Sequence, residues 1–102
     1  MSTHYEIGRR FEYKVAKQMR DAGYVVMRTA GSHGFYDLIA IRNASPHVVV
    51  MVQCKTTQTY RQAKRLLNQF VAHPPFQSFL CDFEQRLVVW TKDTRKQYQD
   101  IV

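Results

Sequence analysis

Residues Val48-Val49-Val50-Met51-Val52 form an unbroken apolar run that stops at Gln53-Cys54-Lys55. Successive side chains of a strand point to opposite faces, so such a run is apolar on both. A strand of that kind belongs in the middle of a sheet that is covered on each side. With 102 residues, the chain has room for one thin layered domain spanning 1–102.

The flanking sequence supplies the layers. Thr3-His4-Tyr5-Glu6 has the form of a capping box, and a helix is expected from there to about Ala22, with Gly23 as its stop. Gly8, Phe11, Glu12, Val15, Ala16, Met19 and Ala22 recur at helical spacing and define its inward stripe. Tyr24–Arg28 reads as a strand, followed by a small-residue loop, Thr29 to Gly34. Tyr36–Arg42 and His47–Lys55 read as two strands joined by the turn Asn43-Ala44-Ser45-Pro46. From Tyr60 to about Ala72 the pattern is helical, with Ala63, Leu66, Leu67, Phe70 and Val71 inward, until His73-Pro74-Pro75 ends it. Phe79–Phe83 and Arg86–Trp90 are expected as two further strands, and Asp93–Gln99 as a short helix. The result is an α/β fold with about five strands, in the order α-β-β-β-α-β-β. No repeat, linker or low-complexity segment interrupts it.

Lys and Arg number 15 against 8 Asp and Glu, a net charge of +7. That excess calls for an anionic partner, nucleic acid before membrane. No apolar run approaches the roughly 20 residues of a membrane span, and the polar N-terminus has no signal-peptide core. Cys54 and Cys81 lack zinc or CxxC spacing and read as reduced, buried thiols. A soluble, cytoplasmic protein is expected, with no membrane and no small-molecule cofactor; a cellular and a virus-encoded origin fit equally. The four histidines show no metal-ligand spacing.

Three polar features stand where apolar residues are expected. Glu12 lies in the inward stripe of the first helix, Asp37 opens the second strand, and Gln53 with Lys55 closes the third. Gln53 and Lys55 share a face by strand parity. A hairpin turning near Ser45 pairs residues whose numbers sum to about ninety, which sets Asp37 beside Gln53. Glu12 would then descend onto the same corner from the helix. The carboxylates of Asp37 and Glu12, the amide oxygen of Gln53 and the backbone carbonyl of Cys54 are hard ligands suited to Mg2+. With Lys55 to orient or deprotonate water or to stabilise phosphorane charge, the cluster suits phosphodiester hydrolysis. The Cys54 side chain points to the other face and is read as packing. Arg61, Lys64 and Arg65, beside Tyr60, form a row that can track a phosphate backbone. Trp90 is read as core or interface rather than as a base-stacking platform.

Gly8-Arg9-Arg10-Phe11-Glu12, Gly23-Tyr24, Arg28, Gly31-Ser32, Asp37 and Gln53-Cys54-Lys55 together resemble the PD-(D/E)xK nucleases. Within them, the chain looks most like archaeal and viral Holliday-junction resolvases, over roughly residues 5 to 57. The resemblance implies a restriction-endonuclease-like mixed sheet flanked by helices. It implies that Glu12, Asp37 and Gln53 bind the metal, Mg2+ with Mn2+ as a possible substitute, and that Lys55 is the catalytic lysine. Ser32 matches a loop serine used near the scissile phosphate. Arg28 matches a basic DNA contact, and Arg9 and Arg10 join it on the DNA side. It also implies a homodimer, since a four-way junction needs two symmetric cuts. Three positions depart from the pattern: Gln53 replaces the acid before the lysine, Tyr36 the proline before the aspartate, and Tyr13 a basic residue after Glu12. The function expected first is metal-dependent resolution of four-way DNA junctions by paired nicks. The alternatives are a nicking or restriction-type nuclease on duplex or flap DNA, and a catalytically impaired protein that binds branched DNA.

Overall fold

The computed structural model describes residues 3–29, 35–77 and 82–102. Its elements run α1 (His4–Asp21), β1 (Tyr24–Arg28), β2 (Leu38–Arg42), β3 (Val49–Thr57), α2 (Tyr60–Ala72), β4 (Glu84–Thr91) and β5 (Lys96–Ile101). The sheet order is β1-β2-β3-β4-β5, so the apolar run lies in the central strand. β3 is antiparallel to β2 and parallel to β4, with α2 as the crossover between the parallel pair. The mixed sheet and the order α-β-β-β-α-β-β are those expected.

Each helix covers one face. Phe11, Val15, Ala16 and Met19 of α1 pack on Val26, Leu38, Ala40, Val50, Val52 and Val88. Ala63, Leu67 and Phe70 of α2 pack on Leu87 and Val89. Val88 and its two neighbours on β4 therefore serve opposite cores, as strand alternation requires. α1 starts at Thr3, whose side chain accepts from the Glu6 amide, and ends before Gly23, which takes a left-handed φ of 98°. Ala22, expected inward, is exposed just past the helix end, and Val71 near the end of α2 is exposed too. In both places the apolar stripe outruns the surface it covers.

Two expected elements change. The strand at Phe79–Phe83 falls largely on residues 78–81, outside the described residues, and Asp82 and Phe83 form a bend ahead of β4. The helix at Asp93–Gln99 is a turn and a strand. Asp93 Oδ1 accepts from Thr91 Oγ1 and the Thr94 amide, Arg95 takes a φ of 55°, and β5 returns beside β4. Pairing with β4 gives this polar segment a ladder of backbone bonds, and Tyr98 and Val102 pack against the α2 core. Its Lys, Gln and Asp side chains suit a sheet edge.

Candidate active site

The site grows from unequal strand lengths. β2 begins at Leu38, opposite Val52, whereas β3 continues to Thr57 with only β4 beside it. Leu38↔Val52 sums to ninety, so the hairpin register is the one expected. Asp37 stands at the step. Its backbone amide donates to the Val52 carbonyl at 2.8 Å, and its Oδ2 accepts from the Cys54 amide at 2.8 Å. The carboxylate thus replaces the next rung of the ladder. Strand alternation turns the Cys54 carbonyl toward the same open edge.

Glu12 reaches this corner from α1, one residue beyond the buried Phe11. Burial raises its pKa above the ordinary value, and the Asp37 carboxylate raises it further, while Arg28 and Arg9 oppose the shift. Arg28 at the end of β1 holds a nitrogen 3.9 Å from Glu12 Oε1. The Cys54 thiol is pushed far up by burial, then by Asp37 and Glu12, and packs against the α1 core as expected. The carboxylates and the backbone carbonyl are the hard oxygen donors at this corner.

Gln53 and Lys55 lie on the other side of the same strand. Their partners on β4 are Leu87 and Val89, which face α2. Both line a groove of about 230 Å3 with Phe35, Leu66, Gln69 and His73. Gln53 is buried and Lys55 exposed. The structure therefore brings Glu12, Asp37 and the Cys54 backbone together at the open edge, and sets Gln53 and Lys55 on the α2 face of that edge. Among the described residues, no three His, Cys, Asp or Glu side chains cluster as a metal site. Two crowded carboxylates and open carbonyl oxygen still make a donor set that fits a hard divalent cation.

Tyr13 stands out only in three dimensions. Its phenol accepts from Arg9 at 3.2 Å and Arg28 at 3.3 Å, and these cations lower its pKa, the Arg9 hydrogen bond most. The i, i+4 spacing of Arg9 and Tyr13 is the one signal of this in the sequence. Among the other basic residues, Arg10 lines a groove with Lys14 and Trp90, whose ring lies 4.8 Å from the Lys14 ammonium. Trp90 packs against the α1 core. Arg61, Lys64 and Arg65 are exposed on α2 and line a groove with Tyr60 and Asn68. Ser32 lies outside the described residues.

Comparison with known proteins adds a family to this geometry. The family model described as archaeal Holliday junction resolvase (Hjc) matches residues 3–67. The structure of Archaeoglobus fulgidus Hjc, a Holliday junction resolvase from an archaeal hyperthermophile, is similar with a TM-score of 0.47 and 17% identity, covering 91% of this chain and 82% of that one. No curated protein sequence matches. No helix among the described residues is long and apolar enough to cross a membrane.

Proposed function

The chain belongs to the archaeal Holliday junction resolvase family, and from that premise we propose that it binds four-way DNA junctions and cuts them with paired, symmetric nicks as a homodimer. The observation that carries the catalytic part is Asp37, seated on the Cys54 amide beside Glu12 at the step between β2 and β3. A divalent cation, Mg2+ with Mn2+ as substitute, would be held by Glu12, Asp37, the Cys54 carbonyl and the Gln53 amide oxygen, and would polarise the phosphodiester. Lys55 directs its ammonium from the exposed end of β3 to orient the attacking water and to stabilise charge on the non-bridging phosphate oxygens. The carboxylate corner and Lys55 flank one strand edge, across which the scissile phosphate would lie. Ser32 keeps the role near the scissile phosphate that the resemblance implies, while Arg9, Arg10, Arg28, Arg61, Lys64 and Arg65 hold the backbone and read branch shape rather than bases.

The test is cleavage of an end-labelled synthetic junction in Mg2+ and in EDTA, beside matched linear duplex and the Lys55→Ala protein. Symmetric nicks on the junction alone, lost in EDTA and in the variant, are expected. Equal cutting of duplex would replace this reading with a general nicking nuclease. A second reading is favoured by Gln53, which leaves the corner one carboxylate short: the protein binds branched DNA without cutting it. Tight junction binding with no cleavage in Mg2+ or Mn2+ would establish that alternative.

A further inference from the structure

Two arginines from different elements converge on one phenol. Arg9 lies on α1 one turn before Tyr13, and Arg28 ends β1. Arg9 Nη2 donates to Tyr13 Oη at 3.2 Å and Arg28 Nη1 at 3.3 Å. Their guanidinium carbons stand 5.7 and 4.7 Å from the centre of the Tyr13 ring. Arg9 Nη1 also reaches Tyr5 Oη at 3.4 Å.

This arrangement has a chemical consequence. A phenol oxygen has two acceptor positions and one proton. Both acceptor positions face guanidinium groups, which leaves the proton to donate outward. Two cations gathered on one neutral oxygen repel each other, and the Glu12 carboxylate is 3.9 Å from Arg28 only. Arg9 makes no salt bridge among the described residues. A singly charged anion with several acceptor oxygens would satisfy the phenol proton and both cations at once. The ring is 47% exposed, so such an anion can approach from solvent.

We infer that Arg9, Tyr13 and Arg28 form a built site for the non-bridging oxygens of a DNA phosphodiester next to the one that is cut. Tyr13 is the positioning residue: it holds the two guanidinium groups side by side and adds one donor of its own. Arg28 belongs to this site and also stands 3.9 Å from Glu12, so a phosphate held here fixes the strand relative to the carboxylate corner. The inference rests on the reading that the chain binds branched DNA.

The experiment measures junction affinity in EDTA, where no cutting occurs, for wild type, Tyr13→Phe, Arg9→Gln and the double variant, with kcat at saturating junction measured separately in Mg2+. Tyr13→Phe should weaken binding about tenfold, the size expected when a charge-assisted hydrogen bond to a phosphate is removed, and leave kcat within about twofold. Because Tyr13 acts through Arg9, the double variant should weaken binding by less than the product of the two single effects. The half-exposed ring predicts an unchanged melting temperature for Tyr13→Phe. Wild type that fails to bind junctions would remove the functional reading itself. Wild type that binds, with Tyr13→Phe binding equally well or with multiplicative single effects, would overturn this inference alone. So would a fall in kcat with unchanged affinity.

Discussion

Glu12 and Asp37 carry the same charge in a half-buried corner, and the raised pKa of Glu12 records both the lost water and the neighbouring carboxylate. Its proton is held more tightly in the folded chain than in the unfolded one. The stability this group contributes is therefore complete below its ordinary pKa of 4.5 and is lost as pH rises through the raised folded value. Glu12→Gln should then melt at a higher temperature than wild type at pH 7 in EDTA, yet lose cleavage. A lower melting temperature would show that the carboxylate stabilises the fold. Asp37 answers to a different demand, because its Oδ2 satisfies the Cys54 amide. Asp37→Ala leaves that donor without an acceptor, at a cost of about 1–3 kcal/mol, whereas Asp37→Asn can keep the hydrogen bond and should lose only activity. Urea titration of the two variants separates the roles. Gln53→Glu adds the missing charge: the Mg2+ concentration for half-maximal cleavage should fall if Gln53 is a ligand, and should not move if its amide only lines the groove.

The elements differ in how legibly the sequence writes them. α1 is clear because Thr3, the apolar stripe and Gly23 mark its start, face and stop independently. The β2–β3 register follows from one turn, which sets Asp37 beside Gln53, but that its carboxylate takes the Cys54 amide shows only in three dimensions. The sequence of β5 suggests a helix because its polar residues carry little periodicity of either kind. Its strand state comes from pairing with β4 and from Tyr98 and Val102 meeting α2, partners far away in sequence. For the same reason strand parity puts Gln53 and Lys55 on a common face, but only the packing of Leu87 and Val89 on α2 shows which face that is. Tyr13 is inconspicuous because a tyrosine on an exposed helix face is ordinary until Arg28 arrives from another element. α2 depends on a full capping box, in which Thr59 accepts from the Gln62 amide and the Gln62 side chain accepts from the Thr59 amide. Thr59→Ala should cost about 1 kcal/mol. For a domain of this size, that corresponds to a melting temperature lower by about 4–8 °C, and calorimetry would measure it. A shift near zero would mean that the Asp93 carboxylate, which accepts from the Tyr60 amide, holds the helix start alone.

At the scale of the whole molecule, the net charge of +7 is spread over elements on both sides of the sheet, with Arg9 and Arg10 on α1 and Arg61, Lys64 and Arg65 on α2. Binding governed by such residues is dominated by released counterions, so each lysine or arginine that neutralises a phosphate should contribute a slope of about 0.9 in log affinity against log salt. Lys64→Ala should lower that slope by about this amount while leaving kcat at saturating junction unchanged. An unchanged slope would place α2 away from the DNA. The proposed homodimer makes a stronger demand. One chain carries one carboxylate corner and one Lys55, and it can cut one strand at a time. Two chains about a two-fold axis present two such corners to the symmetric strands of a junction. On a supercoiled plasmid with an extruded cruciform, two cuts within one binding event give linear DNA, whereas a single cut relaxes the plasmid and removes the substrate. Wild type should therefore yield mainly linear product. Mixed dimers formed by refolding wild type with excess Lys55→Ala chains should yield nicked circles, with the linear fraction falling as the square of the wild-type fraction. If linear product falls only in proportion to wild-type chain, each active chain completes resolution without an active partner, and the paired-site account fails.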